Sequence, residues 1–256
     1  MNKFNIIVPV YNSEKWIGGC IESILSQDYP NYDVFVIDDC STDGTWDVIK
    51  KYPAFALNKS RRLYAVNNRR RLGALENIVR GIDVFGEDII VTVDGDDRLA
   101  DDKVLSYLDS VYTDDVWMTY GSFLPVSGKY KNTCQPLDKM RTPCKEGWLV
   151  DAQTTPGEYR KSGYWVTSHL RTFRKSLWDR IEDKDLRGED GQYFKVAWDL
   201  AFMYPMIEMA DSHVRFIDKI LYIYNDLNPL CDGTVNTSEQ LRITELIQNK
   251  PNYNSL

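Results

Sequence analysis

"IIVTVDGDDRL", residues 89–99, runs from five mostly β-branched apolar positions straight into three carboxylates within four residues, Asp94, Asp96 and Asp97. The apolar part reads as a strand buried on both faces, because a half-exposed strand would alternate apolar with polar residues. The acids then fall at its carboxyl end. Like charges crowded so closely repel one another, and their retention there points to a ligand that needs them.

The same reading extends outward. "FNIIVPV" (4–10) and "DVFVIDD" (33–39) are further continuous apolar runs of strand length. Between them, "SEKWIGGCIESILSQ" (13–27) places Trp16, Ile17, Cys20, Ile21, Ile24 and Leu25 at helical spacing, with Ser13 as the expected N-cap. "STDGTWDVIKKY" starts a second helix, "NNRRRLGALENIVRGIDVFG" gives a third and "ADDKVLSYLDSVY" a fourth. Strands alternating with helices predict an α/β fold with a mostly parallel sheet covered on both faces. Residues 125–165 are rich in Gly, Pro, Thr and Lys and read as loops or short strands. "HLRTFRKSLWDRI" (169–181) and "FKVAWDLAFMYPMIEMA" (194–210) read as helices, and "VRFIDKILYIYN" (214–225) as a strand pair or one long strand. With no repeat and no evident linker, residues 1–256 are expected to form one unit.

The 256 residues are 43% hydrophobic, enough for a large core, and the formal net charge of -7 argues against nucleic acid as a partner. No apolar stretch approaches the roughly 18 residues that cross a bilayer, and the apolar start is too short for a signal-peptide core. The five cysteines show no CxxC pair or metal-type spacing. A soluble, cytoplasmic protein is expected; a Cys134–Cys144 bridge is the one disulfide worth weighing.

Acids gather at the carboxyl ends of two strands: Asp38 and Asp39 after the second, and Asp94, Asp96 and Asp97 after the later one. In open parallel sheets ligands bind at that edge. A small cluster of hard oxygen ligands suits Mn²⁺ or Mg²⁺ together with substrate phosphates. An EF-hand is excluded, since loop positions six and twelve counted from Asp94 hold Leu99 and Leu105 instead of Gly and Glu. An aspartyl-phosphatase loop is disfavoured by Arg98 and by its place away from the first strand. A solvated acidic turn is the bland alternative.

Four stretches, "IIVPVYN", "VFVIDDCSTDGT", "VTVDGDD" and "AWDLAFMYPMIEMA…ILYIYN", together resemble the inverting family 2 glycosyltransferases of the GT-A fold, small viral and bacterial chains above all. The resemblance implies a Rossmann-like sheet, a nucleotide-sugar-binding half over about residues 1–100 and a less regular acceptor and catalytic-base half over about 101–256. It implies a UDP-sugar donor, with Pro9, Tyr11 and Asn12 shaping the loop beside the base, Tyr11 near the uracil and Asp39 accepting from the uracil NH. Within the D-x-D motif Asp94 faces the ribose or a metal-bound water, Gly95 separates the acids, and Asp96 ligates the metal; Asp97 caps the loop. The family's Arg-Asn pair is replaced by Glu76-Asn77, so Arg71 beside Gly73 is the substitute candidate for the nucleotide or its diphosphate. The acceptor would be a glycan or glycosylated protein, and the later segments also resemble transferases acting on hydroxylysine-linked sugars. A sugar-phosphate nucleotidyltransferase would carry a Gly-rich phosphate loop after the first strand, where this chain has "PVYNSEKW"; a non-catalytic nucleotide-sugar-binding module is the other rival.

Inverting transfer needs a carboxylate to take the acceptor's proton. Asp199, amid apolar residues, is preferred, because burial raises a carboxylate's proton affinity. Asp190 in "RGEDGQYF" is the competitor. His169, Trp165 and Trp198 are candidates for the acceptor side, with Trp148 a further possible sugar platform.

Overall fold

The computed structural model describes residues 1–58, 62–128, 134–137, 141–143, 149–151, 155–230 and 237–256. Its first half alternates as expected: β1 (Phe4–Val10), α1 (Ile17–Leu25), β2 (Tyr32–Asp38), α2 (Thr45–Ile49), α3 (Tyr52–Asn58), β3 (Arg62–Asn67), α4 (Ala74–Asp83), β4 (Ile89–Thr92), β5 (Arg98–Leu99) and α5 (Val104–Val111). Then come β6 (Met118–Pro125), β7 (Arg141–Pro143), β8 (Leu149–Asp151), α6 (Pro156–Tyr159), β9 (Arg171–Arg174), α7 (Lys175–Trp178), α8 (Trp198–Ala210), β10 (Val214–Tyr224) and α9 (Thr237–Gln248).

Eight strands form one mixed sheet in the order β3-β2-β1-β4-β9-β6-β10-β5. β3, β2, β1 and β4 are parallel; β9 runs antiparallel to both β4 and β6, and β10 is parallel to β6. The continuous apolar runs are buried on both faces, and alternate side chains go to different cores. Phe4, Ile6 and Val8 join Val34, Val36, Ile89 and Val91 under α1 and α5; Ile7, Phe35, Ile37 and Ile90 lie under α4 and α8. α8 is apolar on nearly every side and buried almost throughout, as a helix enclosed by other elements must be. No helix among the described residues is long and apolar enough to cross a membrane.

Three local expectations are corrected. The helix expected over 169–181 is the strand β9 followed by the single-turn α7, because residues 171–174 pair with β4 on one side and β6 on the other. The third helix begins at Ala74, and β3 pairs beside β2 just before it, a strand hidden by the charged "RRLYAVNN" composition. Ser13 does not cap α1: its carbonyl accepts from Trp16 and Ile17, making a preceding turn, and its hydroxyl donates to the Tyr11 carbonyl. Residues 214–224, read as a strand pair or one long strand, form one strand, with bulges between Ile217 and Tyr222. Cys144 and Trp148, and with them the Cys134–Cys144 pairing, lie outside the described residues.

The irregular second half is anchored by a buried ion pair. The Arg160 guanidinium, just past α6, donates from Nε (2.8 Å) and Nη2 (2.7 Å) to the two oxygens of Glu208 on α8, both side chains being 1% exposed. The Tyr253 amide donates to the same carboxylate at 2.9 Å, so α6, α8 and the tail after α9 meet at one point. Removing one partner strands a buried charge. Arg160→Met should cost about 3–5 kcal/mol of stability, read by urea unfolding.

Candidate active site

A cleft of about 760 Å³ opens at the carboxyl edge of the parallel strands. One wall comes from the first half of the chain: Pro9 near the end of β1, Tyr11 just after it, Asp39 after β2, the 71–73 loop before α4, and Asp94, Gly95, Asp96 and Asp97 after β4. The other wall is His169, Arg171, Lys195, Trp198, Asp199, Tyr224, Asn228 and Gln240.

On the nucleotide side, Tyr11 is stacked beneath the Arg71 guanidinium, 3.8 Å from its ring centroid. Asp39 accepts from the Leu72 amide (2.8 Å), the Gly73 amide (2.8 Å) and Asn68 Nδ2 (3.0 Å). Burial alone would raise its pKa, but the nearby Asn77 side chain and donation from Leu72, Gly73 and Asn68 outweigh this and hold it below the ordinary carboxylate value. Asp39 therefore clamps the 72–73 loop as well as facing the cleft. Gly73 sits at φ +93°, and a Cβ there would lie 2.9 Å from Lys195, whose ammonium reaches the Leu72 carbonyl. Asn12 lies outside the cleft lining: at φ +47° its Oδ1 accepts from the Thr42 amide at 2.8 Å and fixes the neighbouring loop. Asp38 likewise orients that loop, through Ser41. Glu76 pairs with Arg80 along α4.

The acid loop passes tight over β1. A Cβ on Gly95 would come within 2.4 Å of the Val10 Cβ, so this position is closed to any side chain. The three acids then take separate roles. Asp96 Oδ2 accepts from Asn228 Nδ2 at 2.7 Å. Asp97, almost fully buried, accepts from the Asn225 amide (2.6 Å) and from the Tyr222 hydroxyl (2.7 Å). Burial, then the charges of Asp96 and Asp94, push Asp97 well above the ordinary carboxylate value. Burial also raises Asp96.

One ligand atom each from Asp94, Asp97 and His169 lies within 4.8 Å of the others. The structure thus brings Asp97 and His169, instead of Asp96, together with Asp94, because the β10 end turns Asp97 inward while Asn228 draws Asp96 aside. His169 stacks on Tyr222, with centroids 4.6 Å apart and rings 3° from parallel. Its Nδ1 is buried with no hydrogen-bond partner among the described residues. Burial and the neighbouring Arg171 hold its pKa well below the ordinary value, leaving the imidazole neutral, the form that ligates metals. Two carboxylates and a neutral imidazole with one orphaned ring nitrogen fit a divalent cation that accepts mixed oxygen and nitrogen donors, such as Mn²⁺.

Across the cleft, Asp199 is on the first turn of α8. Its Oδ2 accepts from Arg171 Nη2 at 2.9 Å, and its Oδ1 from the Leu200 amide at 3.1 Å. It is not sealed among apolar side chains as its sequence surroundings suggest: its side chain is 17% exposed and faces an ion-pair partner. Trp198 lines the cleft beside it. Asp190 stands apart in an exposed turn, where its Oδ1 accepts from the Gln192 amide. Trp165 is outside the cleft lining too, packed against Tyr159 and Tyr204. Arg171, Lys195, Asn228 and Gln240 escaped the sequence reading. For Arg171 the signal was the alternation His169, Arg171, Phe173, masked by reading that stretch as a helix.

A mixed sheet with one reversed inner strand, acids at its carboxyl edge and a carboxylate across the cleft is the GT-A arrangement of glycosyltransferases. Residues 5–163 match the model of Glycosyl transferase family 2, and the chain belongs to that family. It is 26% identical over 225 residues to the glycosyltransferase GlyG of Streptococcus pneumoniae, covering 86% of this chain and 69% of that protein. The Escherichia coli WfaP, a UDP-Glc:α-D-GlcNAc-diphosphoundecaprenol β-1,3-glucosyltransferase, is 29% identical over 123 residues, 48% of this chain and 47% of that protein. Among solved structures, Staphylococcus aureus TarS in complex with UDP-GlcNAc superposes with a TM-score of 0.68 at 21% identity, covering 96% of this chain and 65% of that one. The mannosyltransferase PcManGT of Pyrobaculum calidifontis, in complex with GDP-Man and Mn²⁺, gives 0.66 at 16% identity, covering 98% and 66%. At these identities the structures establish the GT-A fold. The chain spans about two thirds of each of the two.

Proposed function

We propose that this enzyme is a metal-dependent, inverting glycosyltransferase that moves a hexose from a UDP-sugar to a hydroxyl of a glycan or glycosylated protein. The observation that carries this reading is one cleft that brings Asp94, Asp97 and His169 together and has Asp199 in its lining. That relatives bind UDP-GlcNAc, or GDP-Man with Mn²⁺, supports it.

In this reading the nucleotide base stacks on Tyr11, with Arg71 free to swing off the ring and meet the base or diphosphate. Asp39 accepts from the base and holds the 72–73 loop. Asp94, Asp97 and His169 would hold a divalent cation, which would supply Lewis-acid stabilisation to the leaving diphosphate. Asp96, through Asn228, ties the acid loop to the turn after β10. Asp199 takes the proton of the attacking hydroxyl on the face opposite the leaving group, so configuration at the anomeric carbon inverts.

The direct test is incubation with a panel of UDP- and GDP-sugars, with release of nucleoside diphosphate as the readout, with and without Mn²⁺. Turnover of UDP-sugars that stops in excess chelator is expected; unimpaired turnover in chelator removes the metal from the reading. Asp39→Ala should weaken UDP binding by about 1–3 kcal/mol by calorimetry, since a buried hydrogen bond to the base is lost and the 72–73 loop loosens. An unchanged UDP dissociation constant would end the assignment of Asp39 to the base.

A further inference from the structure

Arg171 is a cation that neither charge patterning nor the D-x-D motif points to. It stands at the start of β9, opposite Thr92 at the end of β4, because the reversed strand brings its amino end to the edge where the parallel strands end. Its side chain is 4% exposed. Nη2 holds Asp199 Oδ2 at 2.9 Å and lies 3.5 Å from His169 Nε2; Nε and Nη1 have no hydrogen-bond partner among the described residues. The guanidinium carbon is 5.5 Å from the Trp198 ring centroid. A buried guanidinium with part of its fork unmet is costly, and its ion-pair partner, a 17%-exposed carboxylate on the first turn of α8, meets only one of its nitrogens. A guanidinium keeps its proton throughout the accessible pH range, so it can neither give nor take the acceptor's proton; what it can do is fix a carboxylate's direction.

We propose that Arg171 is a positioning residue for Asp199, holding one carboxylate oxygen so that the side chain stays aimed into the cleft toward the incoming hydroxyl. The inference rests on Asp199 being the base. With Leu200 N on one oxygen and Arg171 on the other, the carboxylate is pinned at both ends, and each oxygen keeps a second lone pair to receive a proton. Arg171 also neighbours His169 and interacts electrostatically with Asp94 and Asp97, so the part of its effect that runs through Asp199 has to be separated by a double-mutant cycle.

A double-mutant cycle on kcat tests this, using Arg171→Gln, Asp199→Asn and the combination, with donor affinity measured alongside by calorimetry with UDP. If Arg171 works through Asp199, Arg171→Gln lowers kcat by about 10²-fold, the cost of a misplaced catalytic group. It leaves the UDP dissociation constant unchanged, and the double variant is no slower than Asp199→Asn. Arg171→Lys, which keeps the charge, recovers part of the loss; it also serves as the folded comparison if Arg171→Gln is found unfolded by circular dichroism. Multiplying losses in the double variant, or weakened UDP binding in a folded Arg171 variant, overturns the positioning role while leaving the base in place. Full turnover in Asp199→Asn overturns the base assignment, and the role of Arg171 with it.

Discussion

Asp199→Asn is expected to lower the turnover number by about 10²–10⁴, the span usually lost with a general base, while donor affinity stays near that of the parent enzyme. The amide preserves volume and can still meet the Leu200 amide with its oxygen, but it cannot accept a proton at neutral pH. The residues proposed for the donor, Tyr11, Asp39 and Arg71, come from other elements than Asp199, which is why binding and turnover should separate. Asp190→Asn should leave kcat close to the parent value, because Asp190 caps an exposed turn away from the cleft. The reverse ranking, measured by steady-state kinetics with saturating donor, would move the base to Asp190 and require the 187–193 turn to fold over the cleft.

The second large effect belongs to the acid cluster. Asp97→Asn and Asp94→Asn should each abolish metal-stimulated turnover, a loss of about 10²–10³ if the cation contributes several kcal/mol to the leaving group. Asp96→Asn should be milder, since that carboxylate is engaged with Asn228. A binding readout separates this from activity. Burial and neighbouring charge raise Asp97 above its unfolded value. The native state therefore holds more protons than the unfolded state between those two values, and metal-free stability falls as pH rises through that window. A divalent cation reverses the repulsion and must compete with protons, so the thermal shift produced by Mn²⁺ should be larger near about pH 7.5 than near about pH 5.5. Equal shifts at both values, or an undiminished shift in Asp97→Asn, would place the cation elsewhere.

Much of this molecule could be read from the chain alone. The runs within residues 4–10, 33–39 and 89–93 are mostly apolar without a polar alternation, and a strand can bury both faces only inside a helix-covered sheet. Their burial and parallel pairing were therefore legible, and with them the acids at the carboxyl edge. The need for glycine between Asp94 and Asp96 does not belong with these: it comes from the close passage of the acid loop over Val10 of β1.

Tertiary structure decided what local pattern cannot encode. Residues 171–174 have a mixed charged and apolar sequence that fits a helix as well as a strand; pairing with β4 and β6, distant in sequence, settled the choice and delivered His169 and Arg171 to the acid loop. The division of labour among the three acids came from β10 and its turn, whose Tyr222, Asn225 and Asn228 reach back more than a hundred residues to select Asp97 for the interior and Asp96 for the rim. The same holds for Asp199. Apolar neighbours in sequence suggest a sealed carboxylate, yet the turn at Ala197 that opens α8 leaves it in the cleft wall with an arginine as partner. Hydrophobic periodicity is set by neighbours along the chain, and so fixed the sheet; ion pairs and ligand clusters are set by neighbours in space, and waited on the fold.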